Sequence, residues 1–139
     1  MNKFFIAILI CLNYLIVNGQ DEAHWLRYPS ISPDGSTIAF SYHGNLYYAD
    51  ADGGNAVAIT TGDAYDGYPV WSHDGNTIAF ASDRHGNFDV YTIPAKGGTP
   101  IRLTFNSAND YPNDFTIDNK SVLLGSGRDA PAQRVRFPS

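Results

Sequence analysis

Of 139 residues, one is cysteine, one is methionine and, among 14 acids, only Glu22 is glutamate. Each scarcity excludes something. The lone Cys11 lies inside an N-terminal apolar run, so the rest of the chain has no thiol for a disulfide, a zinc site or a nucleophile. With Asp in place of Glu, the acids suit turns and hairpin loops better than helices. Nine Lys and Arg against 14 acids give a net charge of −5, with no contiguous basic run, which excludes nucleic acid as an expected partner. No apolar run reaches the roughly 20 residues that a membrane-spanning helix needs.

The longest apolar run, Phe4 to Val17, follows Lys3 and ends at Asn18-Gly19, with polar sequence from Gln20. A positive start, a short apolar core and a small residue at the exit describe a secretory signal peptide cleaved before Gln20. An uncleaved membrane anchor is the alternative. Cys11 follows Ile10 in mid-run and lacks the small residue that a lipidation site would want before it. The expected location is therefore outside the cytoplasm, periplasmic or secreted, with no membrane contact after cleavage.

What the chain does contain is turn formers and aromatic residues: 13 Gly, 8 Pro, 9 Tyr and 8 Phe. They are arranged in a repeat. "YPSISPDGSTIAF" (Tyr28 to Phe40) and "YPVWSHDGNTIAF" (Tyr68 to Phe80) agree at nine of thirteen positions, 40 residues apart. "LYYADADGGNAVAIT" (Leu46 to Thr60) matches "VYTIPAKGGTPIRLT" (Val90 to Thr104) at an offset of 44. The four extra residues fall where "SYHGN" becomes "SDRHGNFD". A weaker copy, "YPNDFTIDNKSVLL", starts at Tyr111, with one residue inserted near Asp114.

Each unit reads as four short strands. In the second, these are residues 69–72, 77–82, 89–94 and 100–105, with tight turns at residues 73–76 and 95–98. Four strands per period of about 40 residues is the signature of a propeller blade. The Pro and Gly positions would break the helices of a helical solenoid. The expected fold is all-β: a partial β-propeller of two four-stranded blades plus an incomplete third, preceded by a signal-peptide helix. The expected divisions are signal peptide 1–19, lead-in 20–27, blade one 28–67, blade two 68–110 and incomplete blade three 111–139.

Asp-Gly before a Thr-Ile-Ala-Phe strand, then Ser-Asp-Arg, a Gly-Gly turn and an "RLT" strand resembles the WD-like repeats of TolB-type propellers. The segments His24 to Gly54, Gly62 to Gly98 and Tyr111 to Ser139, with the ending "SGRDAPAQRVRFPS", resemble the start of exported bacterial tricorn-type serine peptidases. That resemblance implies a propeller ahead of a peptidase core, filtering or channelling peptides toward it. The serine, histidine and acid of such a core lie beyond the matched region, so no catalytic residue is carried over. The sequence is accordingly expected to be a segment of a longer protein. A TolB-like periplasmic scaffold for protein partners, or the sensor propeller of an exported amidohydrolase or prolyl-peptidase, would share these repeats.

The chain offers no catalytic set of its own, and no cofactor or metal is expected. Ser126 in "LGSGRD" lacks the G-x-S-x-G spacing of a nucleophile elbow and reads as a hairpin turn. His24, His43, His73 and His85 show no metalloprotease spacing. His73 takes the turn position held by Pro33 in the first copy; His43 and His85 share an "HGN" that suggests a common turn. Asp63, Asp66, Asp83 and Asp89 fall in acidic loops at the blade edges, but no spacing fits a calcium loop. Asp83-Arg84 is expected to tie one blade to the next by an ion pair. Trp71, Phe80 and Tyr91 read as inter-blade core, while Tyr65 is a candidate for peptide contact. The partners implied are a peptide or protein substrate, and further copies of the chain through open blade edges, since an open arc leaves apolar sheet faces uncovered.

Overall fold

The computed structural model describes residues 25–127 and 133–137. The signal-peptide segment, His24 and Arg128 lie outside them. Eleven strands make up the described residues, and none of those residues is helical. They form three antiparallel sheets in chain order. The first holds β1 (Arg27–Ile31), β2 (Thr37–Tyr42), β3 (Asn45–Asp50) and β4 (Val57–Ala58). The second holds β5 (Asp66–Trp71), β6 (Thr77–Ser82), β7 (Asp89–Pro94) and β8 (Ile101–Arg102). In the third, β10 (Ser121–Ser126) lies between β9 (Asp110–Phe115) and β11 (Gln133–Arg136). Two four-stranded blades and a three-stranded third are the architecture of a partial β-propeller.

The turn that opens each blade is built three times from the same parts. The hydroxyls of Ser32, Ser72 and Thr116 each donate to the carboxylate two residues on, Asp34, Asp74 and Asp118, at 2.6 Å in every case. The same hydroxyls accept the N–H of Thr37, Thr77 and Ser121, at 2.9, 2.9 and 3.1 Å. The next turn residue is left-handed: Gly35 at φ 74°, Gly75 at 71°, and Asn119 at 56° in the third blade. Glycine adopts that conformation without steric cost, and asparagine is among the side chains that tolerate it.

Alternation along the strands divides each blade into two faces. From β6, Ile78 and Phe80 point toward the first sheet and Ala79 toward the third. One core joins Ala39, Leu46 and Ile59 of the first sheet to Trp71, Ile78, Phe80, Tyr91 and Ile93 of the second. Trp71, Phe80 and Tyr91 are thus inter-blade core, as the repeat predicts. Trp71 Nε1 also donates to the Ser30 carbonyl at 3.0 Å, and Ser41 Oγ to the Asp66 carbonyl at 2.7 Å. A second core joins Ala79, Val90 and Leu103 to Phe115, Val122 and Leu124, with Val135 and Phe137 alongside.

The structure departs from the sequence reading in several places. The fourth strands are short: β8 covers only Ile101–Arg102 of the expected 100–105. Pro100 brings no N–H, and Thr104 leaves the ladder because its hydroxyl, at 2.9 Å, accepts the Val90 N–H. Thr60 does the same for Leu46 in the first blade, also at 2.9 Å. The two "HGN" stretches are not equivalent. His43 and Gly44, at φ 48° and 82°, form the tight link between β2 and β3. Its counterpart in the second blade is Asn87-Phe88, because the four extra residues precede it. The Gly44 and Phe88 carbonyls accept the N–H of Asp66 and Asp110 respectively, both at 2.7 Å.

Asp66 is a strand residue, 2% exposed, where the sequence suggested an edge loop, and Asp89, which opens its expected strand, is fully buried and not at an exposed blade edge. Arg84 pairs with Asp66 at 2.9 Å, and Arg102 with Asp89 at 2.6 Å. Both pairs lie within the second blade, so Arg84 does not bridge blades as expected. Asp83 instead accepts the Tyr65 N–H at 2.8 Å, bracing the segment that leads into β5.

Candidate binding face

β5 packs beside β1, and β9 beside β5, so the first strands of the three blades run as neighbours. The Tyr-Pro pair near the start of each strand places Tyr28, Tyr68 and Tyr111 in a row. The rings of Tyr28 and Tyr68 stack with centroids 3.9 Å apart and planes 25° from parallel. Tyr68 meets Tyr111 edge-on at 4.9 Å. Phe88 continues the cluster, 5.5 Å from Tyr111 and 6.1 Å from Tyr65. All five rings are half-buried.

Backbone irregularity sets this row. The β1–β2 register shifts between Arg27 and Ser30, and the β5–β6 register between Gly67 and Val70. Tyr28 and Tyr68 sit inside those shifts at φ 53° and 56°, a left-handed conformation uncommon for an aromatic residue. Gly67 permits the close approach: a Cβ there would lie 3.2 Å from the Tyr65 ring and 3.4 Å from the Tyr28 ring.

The hydroxyls feel one another. The hydrogen bond with Tyr28, reinforced by burial, pushes the Tyr68 phenol up to about 12. Burial, then the neighbouring Tyr28, raises that of Tyr65. The Tyr65 and Tyr68 hydroxyls thus stay protonated, and able to donate hydrogen bonds, across the physiological range. Beside it lies a recess of about 200 Å³ lined by Trp25, Arg27, Ser41, His43, Gly44 and Tyr65.

The other candidate residues fall as follows. His73 ties the second blade to the third: its N–H donates to Asn119 Oδ1 at 2.8 Å and its Nε2 to the Phe115 carbonyl at 3.1 Å. His85 Nδ1 lies 2.6 Å from the Tyr91 hydroxyl. Ser126 ends β10 opposite Asp110. Asp63 and Asp83 line a groove with Asp66 and Arg84. Among the described residues, no three His, Cys, Asp or Glu side chains gather as a metal site would require. Sequence reasoning singled out Tyr65 but missed the Tyr28–Tyr68–Tyr111 row. The signal was present in the thrice-repeated Tyr-Pro.

Fold and face together define a segment of a β-propeller whose blades carry an Asp-Gly turn, Asp-Asn in the third, and a Tyr-Pro inner strand. The comparisons place it further. The profile of the tricorn protease N-terminal β-propeller domain matches residues 23–138, and the chain belongs to that family. It is 30% identical over 111 residues to tricorn protease homolog 1 of Streptomyces coelicolor, a match covering 79% of this chain but 10% of the relative. A solved structure assigned as TolB from Agrobacterium tumefaciens superposes at a TM-score of 0.67 with 27% identity, over 78% of this chain and 40% of that one. The tricorn protease structure shares the fold at a TM-score of 0.60 and 15% identity, over 76% of this chain and 11% of its own. The chain therefore spans a small part of the relatives that it matches.

Proposed function

We propose that this chain is the non-catalytic propeller part of an exported tricorn-like peptidase, and that its tyrosine row contacts polypeptide on its way to the active site. The observation that carries this is the unbroken row Tyr28, Tyr68 and Tyr111 along the inner strands, flanked by Tyr65 and Phe88. Tyrosine offers an apolar face and a hydroxyl at low entropic cost, which suits recognition of extended peptide with little demand on sequence. The N-terminal apolar run supports export, to the periplasm or beyond the cell. A TolB-like scaffold that binds a folded protein is the second reading, favoured by the TolB superposition.

The test is calorimetric titration of the chain with short unstructured peptides and, separately, with folded proteins of the same compartment. Peptide binding that Tyr68→Ala and Tyr111→Ala abolish, and Tyr68→Phe retains, supports peptide contact. Binding to folded protein alone moves the assignment to the scaffold.

A further inference from the structure

Between blades one and two, at the opposite end of the inner strands from the tyrosine row, lies a groove of about 690 Å³. Clefts that bury a small ligand run from about 300 to 1,000 Å³. One wall is the turn at residues 32–37 of blade one, the other the turn at residues 73–76 of blade two. The floor is aromatic: Tyr48 and Trp71 rise into it from the inter-blade core. The Trp71 indole N–H is already given to the Ser30 carbonyl at 3.0 Å, so Trp71 offers the groove its ring surface.

The next junction shows what closes such a space. There His73 reaches from blade two to blade three, its main-chain N–H donating to Asn119 Oδ1 at 2.8 Å and its ring Nε2 to the Phe115 carbonyl at 3.1 Å. At the same repeat positions the first junction has Pro33 for His73, Gly75 for Asn119 and Trp71 for Phe115. Proline has neither an N–H nor a ring donor to give, and glycine has no side chain to receive one. A Cβ on Gly75 would meet the Pro33 ring at 3.8 Å, an ordinary contact. Blades one and two therefore meet at this end without a latch, and the groove is the space that the latch would take.

Charge selects the guest. Asp34 and Asp74 stand on opposite walls, one from each blade. Hydrogen bonds led by those of Ser32 and Ser72 hold both carboxyls below their ordinary value, so both stay ionised. Two carboxylates against the single ammonium of Lys96, among the described residues, favour a cation. An aromatic floor between carboxylates suits a guanidinium in particular. The planar ion stacks on a ring while its fork of donors reaches sideways; an ammonium has neither plane nor fork. The groove is larger than one side chain fills, so the arginine would arrive on a segment of polypeptide. We propose that this groove docks an arginine presented by a second polypeptide, its guanidinium over Trp71 and Tyr48 and between Asp34 and Asp74. The site is separate from the tyrosine row and does not depend on the role proposed for that row.

The test titrates the full chain, isotope-labelled for magnetic resonance, with acetyl-Gly-Arg-Gly-amide and with its citrulline and lysine counterparts. The readout is the Trp71 indole N–H resonance, told from that of Trp25 by its persistence in Trp25→Phe. The expected result is a saturable shift with the arginine peptide, a weaker one with lysine and none with neutral citrulline. Asp74→Asn should weaken arginine binding about tenfold. Pro33→His combined with Gly75→Asn should abolish it by installing the latch of the next junction. The chain already uses both residues at those repeat positions, so the fold, checked by circular dichroism, is retained. Should that variant unfold, Asp34→Asn and Asp74→Asn decide the matter, and full affinity in both overturns the proposal. No shift with the arginine peptide also overturns it. So does an equal shift with citrulline, which would mean ring contact without charge recognition, or with lysine, which would mean a site for any cation. Binding untouched by the installed latch overturns it too, because the peptide would then sit elsewhere.

Discussion

β7 of blade two begins with Asp89, fully buried and paired with Arg102 on β8 at 2.6 Å, with the Thr104 hydroxyl 3.2 Å from its carboxylate. The same positions in blade one hold Asn45 and Ala58. There is no charge and no partner cation; Asn45 donates weakly to the Gly62 carbonyl at 3.5 Å, and its buried Oδ1 accepts from nothing among the described residues. Only blade two is covered on both faces by described blades, and among the described residues the Asp–Arg ion pairs, Asp66–Arg84 and Asp89–Arg102, both lie in blade two. Where a sheet is sandwiched, side chains at its ends lose water, and a charge there must be matched by geometry. At the corresponding positions blade one carries no charge to be matched. Similar repeats thus differ in whether a buried carboxylate has to be paired.

The largest effect should come from the pair Phe80→Ala and Phe40→Ala. Phe80 is fully buried, so its truncation is expected to lower stability by about 3–5 kcal/mol, and that of half-buried Phe40 by markedly less. Urea unfolding followed by Trp71 fluorescence measures both, and equal losses would erase the distinction between the blades. Next is Arg102→Ala, which strands the buried Asp89 carboxylate. About 3 kcal/mol should be lost, at the lower end of the range because the Arg102 side chain is 23% exposed. Asn45→Asp tests the comparison from the other side. A carboxylate in blade one without its cation should cost roughly 1–3 kcal/mol, and Ala58→Arg added to it should recover most of the loss. Failure of that rescue would mean that the double covering, not the missing arginine, sets the difference.

The smallest effect is shared by all three blades. Hydrogen bonds from Ser32, and then from the N–H and hydroxyl of Ser36, hold the Asp34 carboxyl down at about 2, against 3.8 ordinarily. Asp74 and Asp118 are lowered for the same reason, with Ser72 and Thr116 the leading donors. A carboxyl depressed in the folded state stabilises it fully above its unfolded value, and that contribution is lost as pH falls toward the folded value. Unfolding midpoints should therefore decline between pH 4 and pH 2. Replacing the three aspartates with asparagine should flatten the decline.

Much of this was legible in the sequence because it is local. β6 and β7 span the residues that the alternation assigned, and the Asp-Gly turns fall where Asp and Gly recur. The inter-blade role of Trp71, Phe80 and Tyr91 followed from their place on alternating strands. What escaped was set by partners distant in the chain. Asp66 looks like a loop acid, and Asp89 like an exposed strand end, until Arg84 and Arg102, 18 and 13 residues on, are folded against them. Tyr28, Tyr68 and Tyr111 belong to separate repeats, and their stacking depends on how one blade is set beside the next. The fourth strand of the second blade was read too long because the Thr104 hydroxyl replaces a ladder bond, a substitution that strand propensity does not register.

The Ser-Asp-Gly turn has a consequence for descent. Its hydrogen bonds begin and end within six residues, from Ser32 to Thr37 and again from Ser72 to Thr77. A gene segment encoding one blade therefore carries its own folding instruction wherever it is copied. Tandem duplication can lengthen the array, and deletion shorten it, without redesign of the hairpin that starts each unit. The third copy, with Thr116 for serine and Asn119 for glycine, shows how far the letters drift while that instruction is still obeyed.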